Sequence, residues 1–241
     1  MNIKDKIVIV TGASSGIGFA TAKLLSKNGA KLALVARSKE KIEKLAKELK
    51  NSIALQTDMT KEDQVKEMVE KTKDHFGRID VLVNNAGRGY DASIEKTDPE
   101  KYREIFNLNV IGTLVAMQEV IPIMRKQGEG IIVNISSGTA LMYLPGMSAY
   151  SSTKRSISTM SLIAREELKK DKIIVSVVYP YITATDFEKN TLKEIEEYSE
   201  EEAGGLRPPD SAEYVAEKIL EVIKSGEAEQ YAHDWMKNLR Q

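Results

Sequence analysis

The chain has 241 residues, with 35 Lys+Arg against 36 Asp+Glu, 2 His and no Cys. The near-neutral charge balance excludes a generally basic nucleic-acid binder, and the absence of Cys excludes disulfides, thiolate catalysis, zinc-finger sites and iron–sulfur clusters together. His75 and His233 stand alone, without metal-ligand spacing. No apolar run is expected to reach membrane-spanning length and no leader opens the chain, so the expected home is the cytoplasm, with neither nucleic acid nor membrane as partner.

Short β-branched apolar runs at 7–10, 32–35, 53–55, 81–83, 131–135 and 173–178 alternate with longer amphipathic stretches. The runs are nearly continuous in apolar character, which predicts strands buried on both faces, as in a parallel sheet. Between them, 39–50 carries Ile42, Leu45, Ala46 and Leu49 on one helical stripe. Asp98-Pro99-Glu100 places a capping side chain before a Pro at the first helical position, and Asp210 with Glu213 reads as a capping box. A short seventh strand is expected at 228–232. The alternation with right-handed crossovers gives an α/β fold: a doubly wound, Rossmann-like parallel sheet of about seven strands in a single domain. Residues 186–202 hold eight acids and two Lys, just before Gly204-Gly205 and Pro208-Pro209. This stretch is expected to leave the domain as a mobile substrate lid over 186–207.

Thr11-Gly12-Ala13-Ser14-Ser15-Gly16-Ile17-Gly18 joins the first strand to the first helix. Gly12 allows a tight turn, Gly16 lets backbone approach a pyrophosphate, and Gly18 lets the helix pack close to the sheet. Free N–H groups and the helix dipole then favour the anion. The spacing Gly-x3-Gly-x-Gly gives a longer turn than Gly-x-Gly-x2-Gly. An acid for the ribose hydroxyls is expected roughly 20 residues past the glycines. Ala36 and Arg37 stand there instead, and a missing carboxylate beside a cation suits a 2′-phosphate, hence NADP rather than NAD. Ser14, Ser15 and Ser38 add hydroxyl donors.

Tyr150-Ser151-Ser152-Thr153-Lys154 opens a long helical stretch. Residues four apart share a helix face, and a Lys beside a phenol is expected to lower the Tyr pKa toward working pH, making it a general acid/base. Tyr214 and Lys218 have the same spacing, but only Tyr150 follows a strand whose carboxyl end carries Ser136-Ser137, where an open α/β sheet places its ligand.

From Lys4 to about Asp186 the chain resembles the short-chain dehydrogenase/reductase family, in its compact single-domain branch. The resemblance rests on Thr11-Gly12-x3-Gly16-x-Gly18, Asp58, Asn84-Asn85-Ala86-Gly87, Asn109, Ser137 and Tyr150-x3-Lys154, in that order. It implies that Ser137 hydrogen-bonds the substrate carbonyl, that Tyr150 exchanges the hydroxyl proton, and that Lys154 lowers the Tyr pKa and holds the nicotinamide ribose. Asn109 would anchor a water of the proton relay. Asp58 with Met59 would contact adenine, and Asn85, Ala86 and Gly87 would line the cofactor path.

Two segments depart from the family pattern. Pro180-Tyr181-Ile182-Thr183-Ala184-Thr185 has Tyr181 where Gly is usual, so this ring either lines the pocket or packs against the lid. Pro180, Ile182, Thr183 and Thr185 keep their implied places beside the nicotinamide. The C-terminus lacks the usual ending. The resemblance therefore implies an NADP(H)-dependent carbonyl reductase or alcohol dehydrogenase acting on a small or medium ketone, aldehyde or secondary alcohol. Leu141, Met142, Tyr143, Leu144, Pro145 and Met147 would line an apolar pocket. It also implies a homodimer or homotetramer built on helices around 100–127 and 150–170. The alternative is a non-catalytic NADP(H)-sensing regulator that has kept the fold and lost the chemistry.

Overall fold

In β1 (Ile7–Thr11), Val8 and Val10 pack into one hydrophobic core and Ile9 into another. That split is why the strand reads as an unbroken apolar run. The computed structural model describes residues 1–194 and 207–239. After β1 come α1 (Gly16–Lys27), β2 (Lys31–Ala36), α2 (Lys39–Glu48), β3 (Ser52–Gln56), α3 (Glu62–Phe76), β4 (Val81–Asn84) and β5 (Tyr90–Asp91). Then follow α4 (Pro99–Phe106), α5 (Gly112–Gln127), β6 (Gly130–Ile135), α6 (Ser148–Leu168), β7 (Ile173–Tyr179), β8 (Leu192–Lys193), α7 (Ala212–Ser225) and β9 (Glu229–Tyr231). Seven strands form one parallel sheet in the order β3-β2-β1-β4-β6-β7-β9. Side chains of α1, α2 and α7 fill the first core, and those of α3, α5 and α6 fill the second. The order reverses between β1 and β4, and the crevice at the strand ends there is where such a sheet takes a ligand.

The six apolar runs each became a strand, extended by a residue or so at the ends, and the expected strand at 228–232 is β9. One expectation is corrected, and two features were not foreseen. Asp210 does not cap α7. Ser211 does, its hydroxyl accepting from Tyr214 N at 3.1 Å. Asp210 is held elsewhere: its backbone bridges Thr183, and its carboxylate meets His233 Nε2 at 2.9 Å. A two-stranded parallel sheet of β5 and β8 was not foreseen, since two residues carry no period. Finally α4, a π-helical turn at Asn107–Ile111 and α5 run on as one helix, Pro99–Gln127. By length and composition alone this helix is apolar enough to cross a membrane, but half of its apolar window is buried inside the fold. Asn109, Thr113 and Gln118 interrupt its apolar residues, so no unbroken run marks it in the sequence.

Candidate active site

Gly12 and Gly16 both adopt left-handed backbone, with φ of 69° and 53°. A Cβ on Gly18 would lie 2.3 Å from Gly12 O and 2.5 Å from Asn85 Nδ2, so helix and turn can close only on glycine. Ser15 is the N-cap of α1 with no side-chain cap bond, and the first turn holds no acid. The helix start therefore keeps N–H groups and a hydroxyl for an anion, and the cradle fits a dinucleotide pyrophosphate. Beside it, Thr185 reaches Gly16, its side-chain carbon 3.2 Å from where a Cβ would stand. A cleft of about 550 Å³ opens between Gly16, Phe19 and Ala184–Asp186.

The segment after β4 is bolted to β1. Thr11 Oγ1 accepts from the backbone N–H of both Asn85 and Ala86 at 3.0 Å, and Asn85 Nδ2 donates to Thr11 O at 3.0 Å. Asn85 thus spends its amide on the sheet. At the other end of the expected cofactor path, Arg37 and the N-cap residue Ser38 are exposed at the end of β2. Burial pushes the Asp58 carboxyl up, but hydrogen bonds from Thr60 N and Oγ1, with the charges of Arg37 and Lys61, outweigh it and hold it below the usual range. Sequence reasoning found one cation here; Lys61 is a second. Met59 is buried in the second core, and its carbonyl packs against Gly112, where a Cβ would lie 2.4 Å from Met59 O.

The π-turn places Asn109 fully buried beneath Gly87. Its Oδ1 accepts from Arg88 N at 2.9 Å, and its Nδ2 donates to Arg88 O and to Thr153 Oγ1, both at 3.0 Å. A Cβ on Gly87 would sit 3.1 Å from Asn109 Oδ1 and 3.3 Å from Lys154 Nζ, which puts these three residues in one cluster. Lys154 Nζ donates to Ile135 O at 2.9 Å and stands 5.8 Å from the Tyr150 ring centroid. Tyr150 is buried, and Ser137 hydrogen-bonds its hydroxyl. Ser136 is turned away, bonded to Lys154 O and Ser158 Oγ.

The expectation that Lys154 lowers the Tyr150 pKa is not met. Burial raises the phenol well above its ordinary value, the Ser137 bond opposes this, and the charge of Asp91 adds to it. Burial also lowers Lys154 to about 8. A desolvated ammonium aimed at a carbonyl gives the phenol little help.

Tyr181 packs rather than lines: its ring meets His233 and Trp235 edge-on, with centroids 6.0 and 5.4 Å away, and its hydroxyl accepts from Arg207 N at 3.1 Å. Pro180 O accepts from Gly138 N, Asp210 N donates to Ile182 O, and Thr183 Oγ1 donates to Tyr181 O, so this loop is clasped between β6 and the chain returning into α7. Of the expected apolar pocket, Leu141 is buried in a third core, and Tyr143 is 70% exposed against Arg155.

Only 186–194 of the expected lid, with Arg207, is described, since 195–206 lies outside the described residues. The described stem is fastened. Arg88 Nε donates to Asn190 O at 2.6 Å, Lys101 pairs with Glu194, and β8 pairs with β5. Phe187 lies over Tyr150, with ring centroids 5.7 Å apart. Arg88 went unnoticed in the sequence because nothing local marks it. Among the described residues no group of His, Asp and Glu could hold a metal ion.

The chain matches the short chain dehydrogenase family over residues 6–196 and belongs to it. It is 40% identical over 176 residues to an uncharacterized oxidoreductase of Staphylococcus saprophyticus, covering 72% of this chain and 70% of that one. A short-chain dehydrogenase from Streptomyces avermitilis superposes with a TM-score of 0.89 at 26% identity, covering 99% of this chain and 92% of that one. A short chain dehydrogenase from Burkholderia cenocepacia in complex with NADP gives 0.84 at 26% identity, again covering 99% and 92%. A 3-ketoacyl-(acyl-carrier-protein) reductase from Brucella melitensis complexed with NADH gives 0.84 at 28% identity, covering 91% of each chain.

Proposed function

We propose that the chain is an NADP(H)-dependent reductase of ketones and aldehydes, or dehydrogenase of secondary alcohols, with Tyr150 as general acid/base. The observation that carries this reading is the cluster of Ser137, Tyr150, Lys154 and Asn109 at the carboxyl ends of β4 and β6, beside a glycine cradle. When bound, the nicotinamide supplies or takes the hydride. Ser137 and Tyr150 then donate to the oxygen that gains charge, and Tyr150 yields its proton to that oxygen during reduction. Lys154 holds the ribose, and Asn109 fixes the backbone beside Lys154. Pro180 and Thr185 would flank the nicotinamide, and the described stem, 186–194, places Phe187 against Tyr150 beside it. Steady NADPH oxidation with a panel of carbonyls tests the reading. Cofactor binding without turnover of any member would favour the NADP(H)-sensing regulator.

The choice of NADP rests on Ala36 and Arg37, because related structures hold either cofactor. An Arg–phosphate pair contributes ~1.5–3 kcal/mol, or roughly 10–150-fold in affinity. Ala36→Asp with Arg37→Ile is therefore expected to lower kcat/KM for NADPH and raise it for NADH. A preference for NADH in the unmodified protein would remove Arg37 from this role.

The reading includes a homo-oligomer in which a second copy covers the α5/α6 face. An apolar groove of about 840 Å³ lined by Leu114, Ile121 and Met160 opens there, and Ile163 is 55% exposed. Such a patch on a helix pair suits a self-complementary two-fold contact. Ile163→Glu is expected to shift the light-scattering mass toward one chain, and an unchanged mass would count against this face.

A further inference from the structure

β5 carries a carboxylate that none of the roles above uses. Tyr90 and Ala92 are both fully buried in a small core with Ile105 and Ala149. Successive strand residues point to opposite sides, so Asp91 faces away from that core. On its side lies the catalytic cleft, where the charge of Asp91 acts on the Tyr150 phenol. The stem 187–193 roofs the same space. A Cβ on Gly89 would strike Thr191 Oγ1 at 2.5 Å and Phe187 Cε1 at 3.1 Å, while Phe187 covers Tyr150.

Asp91 is half-buried in this wall, and its carboxylate accepts no hydrogen bond among the described residues. Its charged neighbours are Lys193, which attracts it, and Glu188, which repels it. Desolvation outweighs Lys193 and pushes the carboxyl up. A partly desolvated carboxylate without a donor is costly, and a ligand that supplies one recovers that cost. A ligand bearing its own carboxylate meets repulsion instead.

We propose that Asp91 is a specificity-determining residue that selects carbonyl substrates carrying a hydrogen-bond donor, a hydroxyl or a protonated amine, and disfavours keto acids. The inference rests on the functional reading above and narrows its substrate class. A site built to accept a donor rejects the analogue lacking it far more strongly than an apolar pocket rejects a methylene.

The test compares butanone, hydroxybutanone, aminobutanone and oxobutanoate with NADPH. In the unmodified protein the two donor-bearing ketones are expected to exceed butanone in kcat/KM by about tenfold or more, with oxobutanoate last. In Asp91→Leu the ratio of donor-bearing ketone to butanone should fall toward one, and in Asp91→Asn the amine should lose more than the hydroxyl. An unaltered Kd for NADPH shows that the variants are folded. Equal rates for all four ketones in the unmodified protein, or a ratio that survives Asp91→Leu, overturns the role of Asp91 while the reductase reading stands. If no ketone is turned over, the reductase reading falls. Calorimetry with aminobutanol on the NADP-loaded protein then decides Asp91 alone: binding weakened about tenfold by Asp91→Leu supports it, and an unchanged or absent signal overturns it.

Discussion

Tyr150→Phe is expected to remove turnover, lowering kcat by at least about 10²–10⁴-fold, while the Kd for NADPH stays nearly unchanged. The substitution deletes one hydroxyl from a ring already packed against Phe187, so the cleft keeps its shape. The hydroxyl removed is the one bonded by Ser137. The direction of the pKa shift adds a signature. A phenol held protonated by burial is ready as an acid for reduction, whereas oxidation requires it first to lose its proton. Alcohol oxidation should therefore climb with pH well past neutrality, while ketone reduction stays level over the same range. Tyr214→Phe is the matched control. It keeps turnover, but loses a hydrogen bond to Ala232 O of 2.6 Å and so about 1 kcal/mol of stability, a cost that sequence spacing did not reveal. Turnover retained by Tyr150→Phe within a factor of a few would remove Tyr150 from its role.

Lys154→Met should abolish turnover and yet stabilise the protein without added cofactor. Burial lowers the Lys154 pKa from 10.5 to about 8, so at neutral pH the folded chain carries a charge in a place that disfavours it. The difference corresponds to about 3 kcal/mol, offset by about 1 kcal/mol for the lost bond to Ile135 O. The unfolded chain binds more protons at Lys154 between the two pKa values. Stability should accordingly rise with pH from about 8 to 10.5, the penalty being complete below 8. Tyr150 pulls the other way above its ordinary value of 10.0, where the unfolded chain loses a proton that the fold retains. Melting temperatures at pH 7 and 9.5 check both parts: Lys154→Met should melt a few degrees higher at pH 7 and lose the rise with pH. A lower melting point with the slope intact would show that Lys154 is not the group under strain.

The sheet was legible because burial on both faces leaves so little choice of side chain in β1, β2 and β6. The glycine cradle was legible for a related reason, since left-handed backbone at Gly12 and the contact at Gly18 admit only one residue type. What escaped was set by tertiary partners. Asp210 has the local pattern of a cap, but His233, twenty-three residues on, takes its carboxylate. Leu141 looks like a pocket residue beside Tyr143, yet a 3-10 turn folds it into the core and leaves Tyr143 outside. The spacing of Tyr150 and Lys154 placed both on one helix, but spacing carries no information about desolvation, which reverses the expected shift. β5 and β8 are too short for any period to appear, so Asp91 was invisible until the two were seen paired.

The reversal of strand order between β1 and β4 divides the chain's tasks by lineage of sequence as well as by place. Everything proposed to choose the cofactor phosphate sits before residue 62, on the β2–β3 side. Everything proposed to choose the substrate comes later, from β5, β6, α6 and the stem. Substitutions at Arg37 and at Asp91 therefore fall in separate packing neighbourhoods, and effects at such separated sites combine by simple addition. A lineage carrying this fold can drift toward a new substrate while its electron donor stays fixed, or exchange the donor while the substrate stays, and neither change has to wait for the other.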